Sequence, residues 1–393
     1  MAQGPQGPKC CDDECVMAVQ LGPSDLERAW VTPPNPPGTQ VHAPTVLATS
    51  TGLVAAWFAG AKEGSEDTRI YVSRCVRGEW TAPQMVAPAP TAHWNPVLAY
   101  APDEELWLFF KRGPEISSWV TWLTTSSDEG RTWARPRRLI STDSGGSREG
   151  VGGRGPVKNP PLRLGDTWLA PGSVETWDPV VEWDSFVDIS MDGGREWRKT
   201  TIPVDRATLR GAGVIQPALW RGETDGVIHA LMRSTEGWAF ESTSRDHGRT
   251  WASAQPSSLP NNNSALAVVE IAPGTLACVY NATSGDWAVR CPLHLAVSTD
   301  FGAAWTPLIE IEDGRTPIDD DPRFAPVLPR AADAPVGADS GVVTAGVGEY
   351  SYPSLCVENE DLVICYTWQR QRIASARVPL RTIFTTLQKE EKD

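Results

Sequence analysis

Seven polar side chains, His42, Asn95, Lys158, Asn159, Gln216, Asn263 and Tyr352, stand at the head of apolar, strand-like runs. Acid–base and anion-binding chemistry can be assembled from these types: tyrosine and histidine exchange protons, lysine carries charge, and amides orient polar groups. More charge gathers where the following runs end. Asp67, with Lys62 and Glu63, follows Leu53–Phe58; Lys111 closely follows Leu106–Phe110; Glu175 follows Leu169–Val174. Arg233 ends Val227–Met232, and Arg290 precedes Leu293–Val297. Such cations either snorkel to the surface or, where they converge, build a cationic pocket. A guanidinium fork grips a carboxylate with two parallel bonds, which makes a carboxylate-bearing sugar the natural ligand type. The 18 tryptophans offer apolar platforms for pyranose faces. The plainer alternative is that the small amides merely solvate a water-filled channel; Lys158 and Tyr352 are less easily dismissed.

A repeat is what would bring these residues together. Six segments open with one or two polar residues, usually a proline, and an aliphatic residue at fixed offset: His42–Val46, Trp94–Leu98, Lys158–Leu162, Ile215–Leu219, Asn262–Leu266 and Ser351–Leu355. Each is followed by a second apolar run and then a third. Proline lacks a ladder donor, which places these prolines at the first residue of a strand. Six copies predict an all-β, six-bladed β-propeller of four-stranded antiparallel blades. Inner strands of such a ring start around its central channel, so the seven polar residues are expected at one mouth.

A second repeat, Ser-x-Asp-x-Gly-x-x-Trp, occurs at Ser126–Trp133, Ser190–Trp197, Ser244–Trp251 and Ser298–Trp305, with a degenerate copy at Ser73–Trp80. The tryptophans of the four full copies are 64, 54 and 54 residues apart, a spacing suited to blades. The element reads as a structural turn: Ser and Asp bond backbone N–H groups, Gly supplies a positive φ, and Trp packs on the blade. Calcium is the sharper alternative, but one carboxylate per copy is too few for a cage.

The expected organisation is a tail over 1–15, one propeller over 16–378, and a second tail over 379–393 with a short helix near Leu380–Lys392. The sixth blade shows three strands, and Val16–Leu21 is the candidate to complete it. Ser141–Gly155 reads as a flexible loop, and Glu312–Gly348 as a long functional or disordered one.

The Ser-x-Asp turns are similar to the Asp boxes of the sialidase (neuraminidase) superfamily, six-bladed propellers that cleave terminal sialic acids; the resemblance covers about residues 40–376. The segments Trp57–Gly60, Trp94–Pro96, Gln216–Pro217 and Tyr350–Pro353 resemble sialidase-like proteins of bacteria and plants. By this resemblance Asp67 is the acid/base, Arg233 and Arg290 bind the carboxylate, and Tyr352 is the nucleophile, with Tyr350 as fallback. Two positions depart from the pattern. His42 replaces the first arginine, and Gln216 replaces the glutamate that activates the tyrosine. A phenol is a poor nucleophile until a base or cation helps it. Lys158 or Lys111 would help electrostatically, and His42 or Glu175 would substitute as base.

Three readings follow. The first is a glycosidase acting on a terminal acidic sugar, with Asp67 protonating the leaving oxygen and Tyr352 attacking. The second is a uronate lyase, in which His42 or Tyr352 abstracts the proton next to the carboxylate. The third is a catalytically silent glycan-binding propeller that uses the ring for recognition only. For the first reading the substrate-binding set is Arg233, Arg290, Lys158, Lys111, Asn95, Asn159, Gln216, Asn263 and Glu63, with the two arginines holding the carboxylate.

Bulk properties narrow the partners. A formal net charge of −14 argues against nucleic acid and anionic membranes. No apolar run approaches the ~20 residues of a membrane span. Met1–Pro8 lacks an apolar core, so no secretory signal is read and a reducing, cytoplasmic setting is expected. Cys278, Cys356 and Cys365 read as buried thiols. Cys10, Cys11 and Cys15 lack a second Cys/His pair at zinc-like spacing, so neither metal nor cofactor is expected. A monomer acting on an acidic glycan or glycoside completes the expectation.

Overall fold

In the computed structural model the described residues are 20–101, 104–140, 153–324 and 348–390. Cys10, Cys11 and Cys15, and most of the two long interruptions, lie outside them.

Six antiparallel sheets stand in chain order, and each begins with an inner strand: Gln40–Thr49, His93–Tyr100, Leu162–Leu164, Val214–Arg221, Ala267–Ala272 and Tyr350–Glu358. This is the six-bladed propeller of four-stranded blades. In blade one the outer strand is split into two short pieces, Glu79–Trp80 and Gln84–Met85, both paired with Arg69–Val76. The blade faces bury alternating apolar residues against their neighbours. Leu231, for example, shares a cluster with Leu276 and Tyr280 of the next blade.

Blade six, Tyr350–Glu358, Asp361–Trp368 and Arg372–Pro379, is completed by Glu27–Trp30. The expected Val16–Leu21 does not complete it: Leu21 bridges Ile309 on the outer strand of blade five, and residues 16–19 lie outside the description. The physical reason is anchoring. The Arg28 side chain is buried and pairs with Glu312 at 2.9 Å, and its guanidinium also donates to the carbonyls of Thr316 and Pro317. Trp30 packs edge-on to Trp368 at 5.2 Å. A helix, Leu380–Glu390, follows the blade.

The Ser-x-Asp turns are structural. Each Ser hydroxyl donates to its Asp at 2.7–2.8 Å and accepts the Gly N–H at 2.8 Å. The carboxylate is occupied by further N–H groups, such as those of Thr132 and Thr250. At Gly248, with φ +82°, a Cβ would meet Leu169 of the preceding blade at 2.3 Å, so glycine is required. These turns join third to fourth strands and lie on the face opposite the starts of the inner strands.

The prolines do not begin strands, contrary to expectation. Ala43, Asn95, Lys158, Gln216, Asn263 and Tyr352 have φ between +39° and +71°. In blades one, two, four and six these residues sit in a bulge two or more residues into the strand. Pro44, Pro96, Pro217 and Pro353 follow at once, where the interrupted ladder needs no donor. Each left-handed residue costs on the order of 1–3 kcal/mol. The repeated cost marks the mouth of the channel as the place where side chains are re-aimed.

Among the described residues no helix is long and apolar enough to cross a membrane. Cys75, Cys278, Cys291, Cys356 and Cys365 are buried free thiols.

Candidate functional site

The bulges and the loops joining second to third strands meet on one face, and there the charged residues collect. Arg233, at the end of the second strand of blade four, donates through Nη1 to the Tyr352 hydroxyl at 2.8 Å. Its Nε donates to Asn263 Oδ1 at 2.7 Å, and Nη1 also reaches Gln216 Oε1 at 3.4 Å. Three of the expected ring residues thus hold one guanidinium. Aromatic rings frame it, with Trp183 at 5.5 Å and Trp287 at 5.6 Å. Arg290 lies 5.5 Å from the Tyr352 ring and donates to Glu349 Oε1 at 2.9 Å.

Arg370 was missed by the sequence reading. It sits in the tight turn of blade six, where Gln369 and Arg370 both have positive φ, and such a turn reads as solvent-facing charge. Its Nε instead donates to both oxygens of Glu349, at 3.2 and 3.0 Å, while Nη1 pairs with Glu63 across the closure of the ring. Glu349 was missed as well. Its burial pushes the carboxyl up, but Arg370 and Arg290 hold it below the ordinary value, so it stays ionised. The signal available was positional: every loop between second and third strands faces this mouth, and that includes the blade-six turn.

These pairings divide the cations. Arg290 and Arg370 share Glu349, and Arg370 also has Glu63. The hydrogen-bond partners of Arg233, among the described residues, are all neutral. Arg233 therefore carries the charge most available to an incoming anion.

His42 is fully buried, with its ring 4.3 Å from that of Tyr352 and 5.5 Å from that of Phe58. Burial and then the nearby Arg370, Arg290, Lys158 and Arg233 push its pKa well below the usual value, so the imidazole is neutral. Both its nitrogens are without a hydrogen-bond partner among the described residues. The left-handed position of blade one belongs to Ala43, one residue on from His42. Lys158 crosses the channel and donates to the Pro353 carbonyl, next to Tyr352. Its burial lowers the ammonium pKa to about 7. Glu175, buried near Arg233 and Glu63, is pushed up to about 7, chiefly by desolvation.

The remaining candidates divide. Asn159 donates to the Gln216 and Pro217 carbonyls and ties blade three to blade four. Asn95 occupies the left-handed position of blade two and is buried. Asp67 is exposed on the loop that also carries Glu63, where it accepts the Ala61 N–H at 3.0 Å. Lys111 is not brought to the mouth. Its ammonium is captured between blades two and three by Thr121 at 2.6 Å and the Arg154 carbonyl at 3.2 Å. Tyr350 packs into the blade five–six core, with Trp368 at 6.3 Å.

A cavity of about 500 Å³ between Arg221, Glu223 and Arg249, and one of about 450 Å³ beside Trp220, open on the opposite face, by the Ser-x-Asp turns. The first is lined by Arg221, Glu223, Asp225, His247 and Arg249 and the second by His229, Glu241 and Arg245, but neither holds a tyrosine against a buried guanidinium, as the mouth does. The chemistry therefore places the candidate site at the mouth.

No curated protein sequence matches the chain. A crystal structure of a protein of unknown function from Dyadobacter fermentans is similar at TM-score 0.65 and 13% identity, covering 90% of this chain and 98% of that one. The NanB sialidase of Streptococcus pneumoniae is similar at 0.60 and 11%, covering 88% of this chain and 69% of that one. Trypanosoma rangeli sialidase gives 0.60 and 14%, with 90% of this chain matched to 58% of that one. At such identities the likeness shows the fold. Residues 51–364 match the BNR repeat-like domain, four fifths of the chain, and the chain belongs to that BNR repeat-like family.

Proposed function

We propose that the mouth binds a terminal acidic sugar and hydrolyses its glycosidic bond. The observation that carries this reading is the contact between Arg233 and the Tyr352 hydroxyl, which puts an available guanidinium and a nucleophile within one sugar's width. The carboxylate of the sugar binds Arg233, flanked by Arg290 and Arg370. Trypanosoma rangeli sialidase, of the same fold, is known in complex with sialic acid, which supports an acidic monosaccharide as the bound unit.

Tyr352 oxygen attacks the anomeric carbon as the bond to the leaving oxygen breaks. Arg233 stabilises negative charge on the phenol oxygen. Gln216 cannot accept the phenol proton; Glu175 takes it, being buried near the Arg233 that touches the phenol, with its carboxyl pushed up to about 7. Asp67, at the rim, supplies the proton to the leaving oxygen. Water then releases the sugar from Tyr352, with Asp67 as base.

The test is a screen of 4-methylumbelliferyl glycosides of sialic and uronic acids with the wild type and Tyr352→Phe in parallel. Fluorophore release by the wild type alone supports the proposal; equal release by both removes Tyr352 from it. Gln216, standing where an acid is expected, favours a second reading, a binding propeller without turnover. That protein would release no fluorophore, yet acidic sugars would raise its melting temperature.

A further inference from the structure

Of the six large apolar side chains exposed among the described residues, Trp177, Val180 and Val181 lie beside the mouth on a loop of blade three, and Trp238 lies there at the start of the third strand of blade four. Trp177, Val180 and Val181 cap the hairpin between Thr167–Thr176 and Glu182–Ser190 and are 45%, 54% and 47% exposed. This tip is built. The Thr176 hydroxyl donates to the Val180 and Glu182 carbonyls, and Arg206 grips the hairpin base through Asp184 and the Trp183 carbonyl. A fixed apolar cluster in water marks a contact surface.

The cluster is joined to the charged pocket by a run of rings. Trp177 meets Trp183 at 5.4 Å, and Trp183 meets Trp287 at 6.0 Å. Arg233 lies between Trp183 and Trp287. An occupant held at Arg233 by its carboxylate thus lies within two ring contacts of the Trp177 tip, with the buried Trp183 as the rigid link and only Trp287 and Trp177 open to the occupant. The chemistry of the tip selects among occupants. Asp178 is exposed directly beside Trp177, and the whole chain carries −14, which disfavours an anionic membrane. An indole face next to a carboxylate suits a pyranose, whose C–H face stacks while its hydroxyls donate to the acid.

We infer that the blade-three hairpin is a docking platform for the second sugar of an acidic oligosaccharide, with the Trp177 face as its floor. The inference rests on the reading of the mouth as an acidic-sugar site, and names its substrates as chains rather than single sugars.

Calorimetric titration of the full chain with two matched pairs tests it: N-acetylneuraminic acid with 3′-sialyllactose, and glucuronic acid with cellobiouronic acid. For one pair, the wild type should bind the longer sugar about tenfold more tightly, the gain expected from covering one pyranose face. Trp177→Ala should abolish that gain and leave monosaccharide affinity unchanged, while Trp177→Phe retains part of it. Equal affinity of Trp177→Ala and wild type for the longer sugar overturns the inference. So does a wild type that binds the monosaccharide and gains nothing from the second unit; the reading of the mouth then stands. A wild type that binds none of the four, including one whose tip captures only proteins, overturns both. Unchanged circular dichroism of Trp177→Ala, expected for so exposed a residue, rules out misfolding as the cause.

Discussion

Arg233 and Tyr352, 119 positions apart, meet at 2.8 Å on the mouth of the propeller. Four blades converge on that contact, because Asn263 and Gln216 hold the guanidinium and His42 lies against the phenol ring. Charge and nucleophile are thus one unit, and the predictions separate their roles.

Arg233→Met should weaken binding of an acidic monosaccharide by roughly 100-fold, the scale of losing a buried charged partner. Arg370→Met should weaken it less, because Glu349 already claims part of that charge and keeps Arg290. Calorimetric titration checks the order; a larger loss for Arg370→Met would transfer the main anion contact to blade six.

Tyr352→Phe should lower turnover on the order of 10³-fold or more while leaving affinity nearly intact, as when a nucleophile is removed from a formed site. Active-site titration together with direct binding checks it.

Glu175 must be ionised to accept a proton, and its carboxyl is pushed up to about 7. The rate should therefore fall as pH drops below about 7, and Glu175→Gln should remove that limb along with most activity. A pH–rate profile that keeps the limb in Glu175→Gln would assign it to another group, Lys158 first, since its ammonium also titrates near 7.

Stability offers a test that needs no substrate. Glu175 and Glu312 are both raised to about 7, chiefly by burial, so the folded chain holds protons that the unfolded chain has released. Their contribution is full below about pH 4.5 and is lost as pH rises through 7, with a slope of up to about 1.4 kcal/mol per pH unit for each group. Glu312→Gln should flatten the decline in denaturant midpoint between pH 5 and 7. Arg28→Met, which strips the buried Glu312 of its ion-pair partner, should cost about 3–5 kcal/mol at pH 8.

How legible the molecule was depends on what repeats. The Ser-x-Asp octapeptide and the six strand openings recur because each blade solves the same packing problem, and from them the blade number could be read. The same repetition pointed to Arg233, Arg290 and Tyr352, which the structure brings together. Where a blade uses its equivalent position differently, the pattern misled. Lys111 matches Arg233 in strand register, yet Thr121 and the Arg154 carbonyl hold its ammonium between blades. Arg370 was passed over because a three-residue turn gives no hint that its side chain folds back onto Glu349. Glu27–Trp30 was passed over because four residues with two charges carry no strand signature, and only the buried partners of Arg28 reveal one.

The pairing of Ala29 with Ser375 spans 346 positions. During synthesis residues 27–30 therefore leave the ribosome long before the sheet edge they complete exists. Until Arg372–Pro379 emerges, the nascent blades form an open arc, and Glu27–Trp30 waits as an unpaired ribbon at its leading end. A circular permutant that carries 20–31 behind the C-terminal helix on a linker would let that ribbon arrive last. It should reach the closed ring faster than the natural chain order.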